Sequence, residues 1–148
     1  MNVRELTSKS PVTLPADATI EEAARLMDHQ AVGAIVIVDG ERPVGIVTDR
    51  DVVVRAVARR APFDGRIDSI MTTGLVAVDA DADVQRAIAI FASHAFRRLP
   101  VVEGATVIGM VTVDDLVVAL GRMFAELTTG VTAQLLFGHA EPSPPVVA

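Results

Sequence analysis

The segments Gly45-Ile-Val-Thr-Asp-Arg-Asp51 and Gly109-Met-Val-Thr-Val-Asp-Asp115 place glycine, threonine and aspartate at one common spacing. Each residue type brings its own chemistry. Glycine lets another group approach the backbone closely, because no Cβ stands in the way. A threonine where a strand hands over to a helix lies among free N–H groups at the positive end of the helix dipole, a setting that favours phosphate. An ionised aspartate only accepts hydrogen bonds, which suits it to the two hydroxyls of a ribose. Thr48 with Asp51, and Thr112 with Asp115, equally spell a capping box that merely ends a strand and starts a helix. For one copy the two readings stand level. For two copies facing a shared cleft, ligand binding is the better reading.

The elements that position these residues are themselves written twice. From Val3 to Gly121, residue n matches residue n + 64 without a gap, and Gly40/Gly104, Gly45/Gly109, Thr48/Thr112 and Asp51/Asp115 are identical. Matched glycines and polar residues weigh more than matched valines, which any two buried strands share by composition. A repeat of this kind is one supersecondary unit, and a unit of roughly 60 residues is marginal by itself. Two copies packed around an approximate twofold axis are therefore expected.

Within the first copy, Thr19 or Asp17 can cap a helix over Ile20 to His29 that buries Ala23, Ala24, Leu26 and Met27. Ala34 to Val38 is continuously apolar and β-branched, as in a strand buried on both sides. Asp39-Gly40 turns the chain into a second strand, Pro43 to Val47, and a helix follows over Asp51 to Ala58. The second copy repeats the order with a helix over Val84 to Ser93, strands over Leu99 to Val102 and Val107 to Val111, and a helix over Asp114 to about Leu120. The linker Arg59 to Arg66 carries Pro and Gly and separates the copies. The expected organisation is repeat one over 1–64, repeat two over 65–122, a helical extension over 123–138 and a flexible tail over 139–148. In the extension, Met123, Phe124, Leu127, Val131 and Leu135 follow helical spacing across an interruption at Thr128-Thr-Gly130. Glu141-Pro-Ser-Pro-Pro145 cannot be helical.

Composition excludes several classes. A net charge of −6 disfavours nonspecific nucleic-acid binding, which needs Lys and Arg gathered on one face. The absence of cysteine removes disulfides, thiolate chemistry and sulfur-ligated zinc. The densest apolar run, Ala31 to Val38, is far below the roughly 18 residues of a membrane span, so no membrane association is expected. Met1-Asn-Val-Arg-Glu-Leu lacks a secretory pattern, and a cytoplasmic location is the expectation. No Ser-His-Asp or Cys-His set and no Walker-type lysine is present, Lys9 lying in no Gly-rich loop, so the chain does not read as an enzyme.

With its doubled Gly-x-x-Thr-x-x-Asp and with Arg97-Arg-Leu-Pro-Val-Val102, the chain resembles a cystathionine-β-synthase-type (CBS) domain pair, or Bateman module, over about Val3 to Gly121. The resemblance implies an α/β (α+β) fold of two β-α-β-β-α repeats with pseudo-twofold symmetry, here followed by the C-terminal helical extension. It also implies a non-enzymatic regulatory module that binds AMP, ADP, ATP, NAD or S-adenosylmethionine between the repeats as an energy or metabolite sensor, with no cofactor required. Carried over residue by residue, one site would join Thr48 and Asp51 to Leu75, Val76, Ala77, Arg97 and Arg98. Its mirror would join Thr112 and Asp115 to Val12, Thr13, Gly33 and Ala34.

The offset sets Arg97 and Arg98 against Gly33 and Ala34, so only the first site has guanidinium groups for phosphate. Solvated charge at a strand entry is the plainer reading of those arginines. His29, His94 and His139 share no metal-ligand spacing, although His94 lies near enough in sequence to approach a phosphate in the first site. Asp49-Arg50-Asp51 and Asp114-Asp115 could help hold Mg²⁺ against a nucleotide, but acids at a helix start more often complement its dipole. The competing function is a ligand-free structural module that dimerises or scaffolds an unknown protein partner, and a small phosphohydrolase ranks far behind. CBS pairs commonly dimerise through their helices, and the apolar surplus from Met123 to Leu135 favours a homodimer over back-folding onto the core.

Overall fold

The computed structural model describes residues 1–7 and 10–136, Gln134 by its backbone alone. His139, Lys9, the Glu141 to Pro145 tail and the expected end of the extension at 138 lie outside the described residues. The chain falls into two compact units, Met1–Val113 and Asp114–Ala148.

In the first unit, β1 (Thr13–Pro15), α1 (Ile20–Gln30), β2 (Ala34–Asp39) and β3 (Arg42–Thr48) lead into α2 (Asp49–Asp51), which continues as a π-helix over Val52–Val57. The second copy supplies β4 (Val78–Asp79), α3 (Val84–Ser93), β5 (Arg98–Glu103) and β6 (Thr106–Thr112). The strands form two three-stranded sheets, β1-β2-β3 and β4-β5-β6. In each sheet the first pairing is parallel and the second antiparallel. The repeat extends to irregularities, since the register shifts at Ile37/Val38 in one hairpin and at Val101/Val102, the equivalent place, in the other. Gly40 (φ 64°) and Gly104 (φ 59°) take the left-handed conformation that both hairpin turns require.

Of the two candidate caps, Thr19 starts α1. Its Oγ1 accepts from the Glu22 N–H at 3.1 Å while the Glu22 carboxylate accepts from the Thr19 N–H at 2.6 Å, a capping box that stabilises the helix by about 1 kcal/mol. The buried face of α1 is Ile20, Ala23 and Met27. Of the other residues expected inside, Leu26 is partly buried and Ala24 is exposed.

The two cores exchange their opening segments. Short 3₁₀ turns begin both copies, at Val3–Leu6 and Ile67–Ser69. Val3, fully buried, packs in the second repeat with Val78, Ala87, Leu99 and Val111, whereas Ile67 and Ile70 pack in the first with Ile20, Ile35 and Val47. Backbone bonds fix the crossing symmetrically: Val3 N–H to Ala82 O and Arg4 N–H to Ala80 O at 2.9 Å, Ile67 N–H to Ala18 O at 2.7 Å and Asp68 N–H to Ala16 O at 3.3 Å. Burying each such aliphatic side chain contributes roughly 1.5–3 kcal/mol.

In the second unit, α4 runs over Val113–Leu136 without a break. The expected interruption at Thr128-Thr-Gly130 does not occur. Both threonine hydroxyls donate to the Ala125 carbonyl, at 3.0 and 2.8 Å, so their polar groups are satisfied inside the helix, and one glycine costs only about 1 kcal/mol there. Met123, Phe124, Leu127, Val131 and Leu135 are all exposed. Val113–Ala133 is long and apolar enough, by length and composition, to cross a membrane. Arg122 and Glu126 interrupt its apolar run without making the helix polar.

Candidate functional site

Backbone pairing positions the strand end that opens the candidate site in the first unit. β3 ends at Thr48, paired in register with Ala34, and the Asp49 N–H donates to the Gly33 carbonyl at 3.1 Å. Thr48 then caps α2: its Oγ1 accepts from the Asp51 N–H at 3.2 Å and donates to Asp51 Oδ2 at 3.0 Å, and its N–H donates to the same oxygen at 2.9 Å. The capping box is therefore formed. It occupies one carboxylate oxygen, while Oδ1 lies 3.6 Å from Arg55 Nε. Asp51 can cap a helix through one oxygen and accept from a ligand through the other.

That geometry corrects the phosphate reading of the helix start. The first three N–H groups, of Asp49, Arg50 and Asp51, donate to Gly33 O, Asp49 Oδ1 and Thr48 Oγ1. They are already engaged by the protein, so charge for a phosphate must come from side chains. The glycine reading changes as well. A Cβ at Gly45 would lie 2.6 Å from Met71 Sδ and 2.9 Å from the Thr72 carbonyl, so the group that approaches is the chain's own connecting segment. Ile46 and Thr72 exchange both backbone bonds there, at 3.1 and 2.9 Å.

This pairing brings the segment from Thr72 to Val76 alongside Thr48 and Asp51, and β5 enters opposite. Together they enclose a cavity of about 370 Å³. Of the first expected set, Thr48, Asp51, Leu75, Val76, Arg97 and Arg98 line it, and Ala77 does not. Ile46, Asp49, Arg50, Thr72, Gly74, Ala95, Phe96 and Pro100 complete the wall. Apolar Ile46, Leu75, Val76 and Phe96 offer faces for a flat ring, and three arginines stand against two aspartates. Phe96 is held edge-on by Phe91, with ring centroids 6.2 Å apart, and is stacked by His94 at 4.9 Å. His94 itself does not line the cavity. Its Nδ1 lies 2.9 Å from the Ile90 carbonyl, and its ring supports Phe96 from behind. A doublet such as Ala95-Phe96 next to Arg97 could have been found by asking which aromatic could face a base; the sequence holds few aromatics.

The residues of the expected mirror site are distributed differently. Val12 accepts from the Val36 N–H at 3.0 Å at the entry to β1, where Thr13 pairs with Val36 in register. Gly33 has Arg98 Nη2 and Asp49 Oδ2 2.8 and 3.0 Å from where its Cβ would stand, so it adjoins residues of the first cavity. Ala34 is buried. Thr112 closes β6 opposite Arg98, and Asp115 stands in the first turn of α4. Among the described residues no group of three or more His, Asp or Glu side chains could hold a metal ion.

Two crossed three-stranded repeats with a cavity beside Thr48 and Asp51 define the fold of the first unit, and comparison with known proteins gives its family. The CBS-domain family model matches twice, over residues 3–57 and 67–122, and the chain belongs to that family. It is similar to the CBS domain-containing protein YhcV of Bacillus subtilis, 32% identical over 117 residues that cover 79% of this chain and 84% of that one. Among solved structures it is similar to the CBS domain protein PAE2072 from Pyrobaculum aerophilum complexed with AMP (TM-score 0.73, 32% identity, 78% of this chain and 90% of that one). It is likewise similar to the CBS domain pair of protein MJ0100 in complex with 5′-methylthioadenosine and S-adenosyl-L-methionine (TM-score 0.74, 27% identity, 83% and 98%).

Proposed function

We propose that the chain is a non-enzymatic, cytoplasmic regulatory module that binds an adenine nucleotide or adenosyl ligand in the cavity beside Thr48 and Asp51, as an energy or metabolite sensor. One observation carries the reading: a cavity of about 370 Å³, within the usual size for small-molecule sites, combines an acceptor oxygen of Asp51 with the side chains of Arg97 and Arg98 and with apolar walls. The base would lie against Val76 and Phe96, the ribose hydroxyls would donate to Asp51 Oδ1, and Arg97 and Arg98 would meet phosphate. The adenosyl ligands of the two similar solved structures support the ligand class. Thr112 and Asp115, with Val12, Thr13, Gly33 and Ala34, form the weaker candidate set because no arginine occupies the positions equivalent to Arg97 and Arg98.

Calorimetric titration of the folded chain with AMP, ADP, ATP, NAD and S-adenosylmethionine tests this. At least one should bind, and silence from all of them rejects the sensor. The second reading, a ligand-free interaction module, draws on the completed capping box and on exposed Phe124, Leu127 and Leu135 of α4, which we assign to a homodimer. Light scattering should give a dimer for the full chain; a monomer defeats that assignment.

A further inference from the structure

Arg55 sits in the π-helix behind the cavity and is not among the residues that line it. Its Nη1 donates to two successive carbonyls of the connecting segment, Ile70 O at 3.1 Å and Met71 O at 3.3 Å. Its Nε lies 3.6 Å from Asp51 Oδ1, the carboxylate oxygen that the cap leaves over. One rigid guanidinium thus touches the acid on one wall and, through Met71, the segment that becomes the opposite wall at Thr72, Gly74, Leu75 and Val76. From its other side the same segment is pinned by the Ile46 and Thr72 backbone bonds. The position equivalent to Arg55 in the second repeat is Ala119, which has no side-chain donor.

We infer that Arg55 is a positioning residue: it orients Oδ1 of Asp51, the oxygen outside the cap, toward the cavity and ties it to the Ile70–Met71 carbonyls, so that recognition of a vicinal diol and placement of the opposite wall form one device. The inference rests on the proposed adenosyl reading for its ligand and on geometry alone for the tie. The π-helical turn gives the tie its shape. Its wider winding, with Ala58 N–H bonded to Val53 O, sets the side chains at a different angular spacing from that of an α-helix.

Two measurements on the full chain test it. In the first, AMP and 2′,3′-dideoxy-AMP are titrated calorimetrically into the parent chain, Arg55→Ala and Arg55→Lys. The parent should prefer AMP by about tenfold or more, as loss of hydrogen bonds to a charged acceptor requires. Arg55→Ala should bring that preference to within about threefold, and Arg55→Lys should fall between. A merely structural loss would weaken both ligands alike and leave the ratio unchanged, and an unchanged ratio overturns the diol role. In the second, amide hydrogen exchange at Thr72 is followed without ligand. Arg55→Ala should speed it about tenfold, and Asp51→Ala should speed it in the parent but add little once Arg55 is gone. Equal effects of Asp51→Ala in both backgrounds overturn the tie. If the parent binds no adenosyl ligand, the proposed function and the diol role fall together, while the exchange measurement still decides the tie.

Discussion

After Thr48 the first repeat winds through Asp49–Asp51 into a π-helix that ends at Val57, whereas after Thr112 the second continues as a single α-helix from Val113 to Leu136. Both begin with the same Gly-x-x-Thr-x-x-Asp. What surrounds the motif differs: Asp49, Arg50 and Arg55 in the first repeat stand where Val113, Asp114 and Ala119 stand in the second. The motif therefore sets a strand end and a helix start, which both copies need. The residues that distinguish the surroundings of the first copy, Arg50 and Arg55 among them, lie outside the motif.

The largest test of the comparison concerns the crossed openings. Ile67→Ala removes a fully buried side chain from the first repeat's core and should cost about 2–5 kcal/mol in urea denaturation. Val3→Ala, its equivalent in the second core, should cost less, because fewer carbons are removed. A loss below about 0.5 kcal/mol for Ile67→Ala contradicts the exchange of segments.

Next in size, Arg97→Ala combined with Arg98→Ala should weaken AMP or ATP binding by roughly ten- to a hundredfold, since charge-assisted bonds to phosphate are lost, while adenosine binds nearly as before. Equal AMP affinity in parent and double variant means the cavity does not read phosphate. A smaller effect separates cap from ligand. Asp51→Ala and Asp115→Ala should each lower stability by about 1 kcal/mol, as for a lost cap, but only Asp51→Ala should weaken nucleotide binding, by about tenfold. If both leave binding intact, the first site is misassigned.

The smallest effect concerns a charge that the two openings do not share. Arg4 of the first opening reaches Asp81 and Glu103 of the second repeat, whereas Asp68, its equivalent, pairs locally with Arg66. The hydrogen bond from Arg66, the largest influence, holds the Asp68 carboxyl below its usual range, with exposure to its charge adding and partial desolvation opposing. A depressed folded value means the pair's contribution is present above the ordinary carboxylate range and fades as pH falls through the folded value. Titration of the Asp68 carboxyl by NMR should show its midpoint rise in Arg66→Ala; an unmoved midpoint rules the pairing out.

Much of this architecture was legible in the sequence for physical reasons that act locally. Continuous apolar, β-branched runs marked the strands, glycines, found at positive φ, marked both hairpin turns, and Thr19 was one of two candidate caps. The resemblance to CBS pairs led from Thr48 and Asp51 to Leu75, Val76, Ala77, Arg97 and Arg98, of which all but Ala77 line the cavity. The crossing of Val3 and Ile67 was not legible, because an isolated aliphatic residue in an opening segment carries no signal for which core it enters. Nor was the length of α4. Thr128-Thr-Gly130 looks like a stop when residues are weighed singly, and only the backbone carbonyl of Ala125 shows where the hydroxyls go. Arg55 escaped notice for a related reason: its partners are carbonyls, which every residue has, so sequence could not mark them.

The crossed openings also bear on how the molecule can be divided. Were the chain cut between Asp64 and Gly65, the N-terminal fragment would keep Val3, whose place is in the other half, and would lack Ile67 and Ile70, which complete its own. The C-terminal fragment would have the reciprocal defect. Each half is thus an incomplete solvent-exposed core that only the other can close, so the two fragments are expected to recover structure when mixed and to remain unstable apart. Duplication with crossed openings is thus expected to make the repeats obligate folding partners rather than two independent modules.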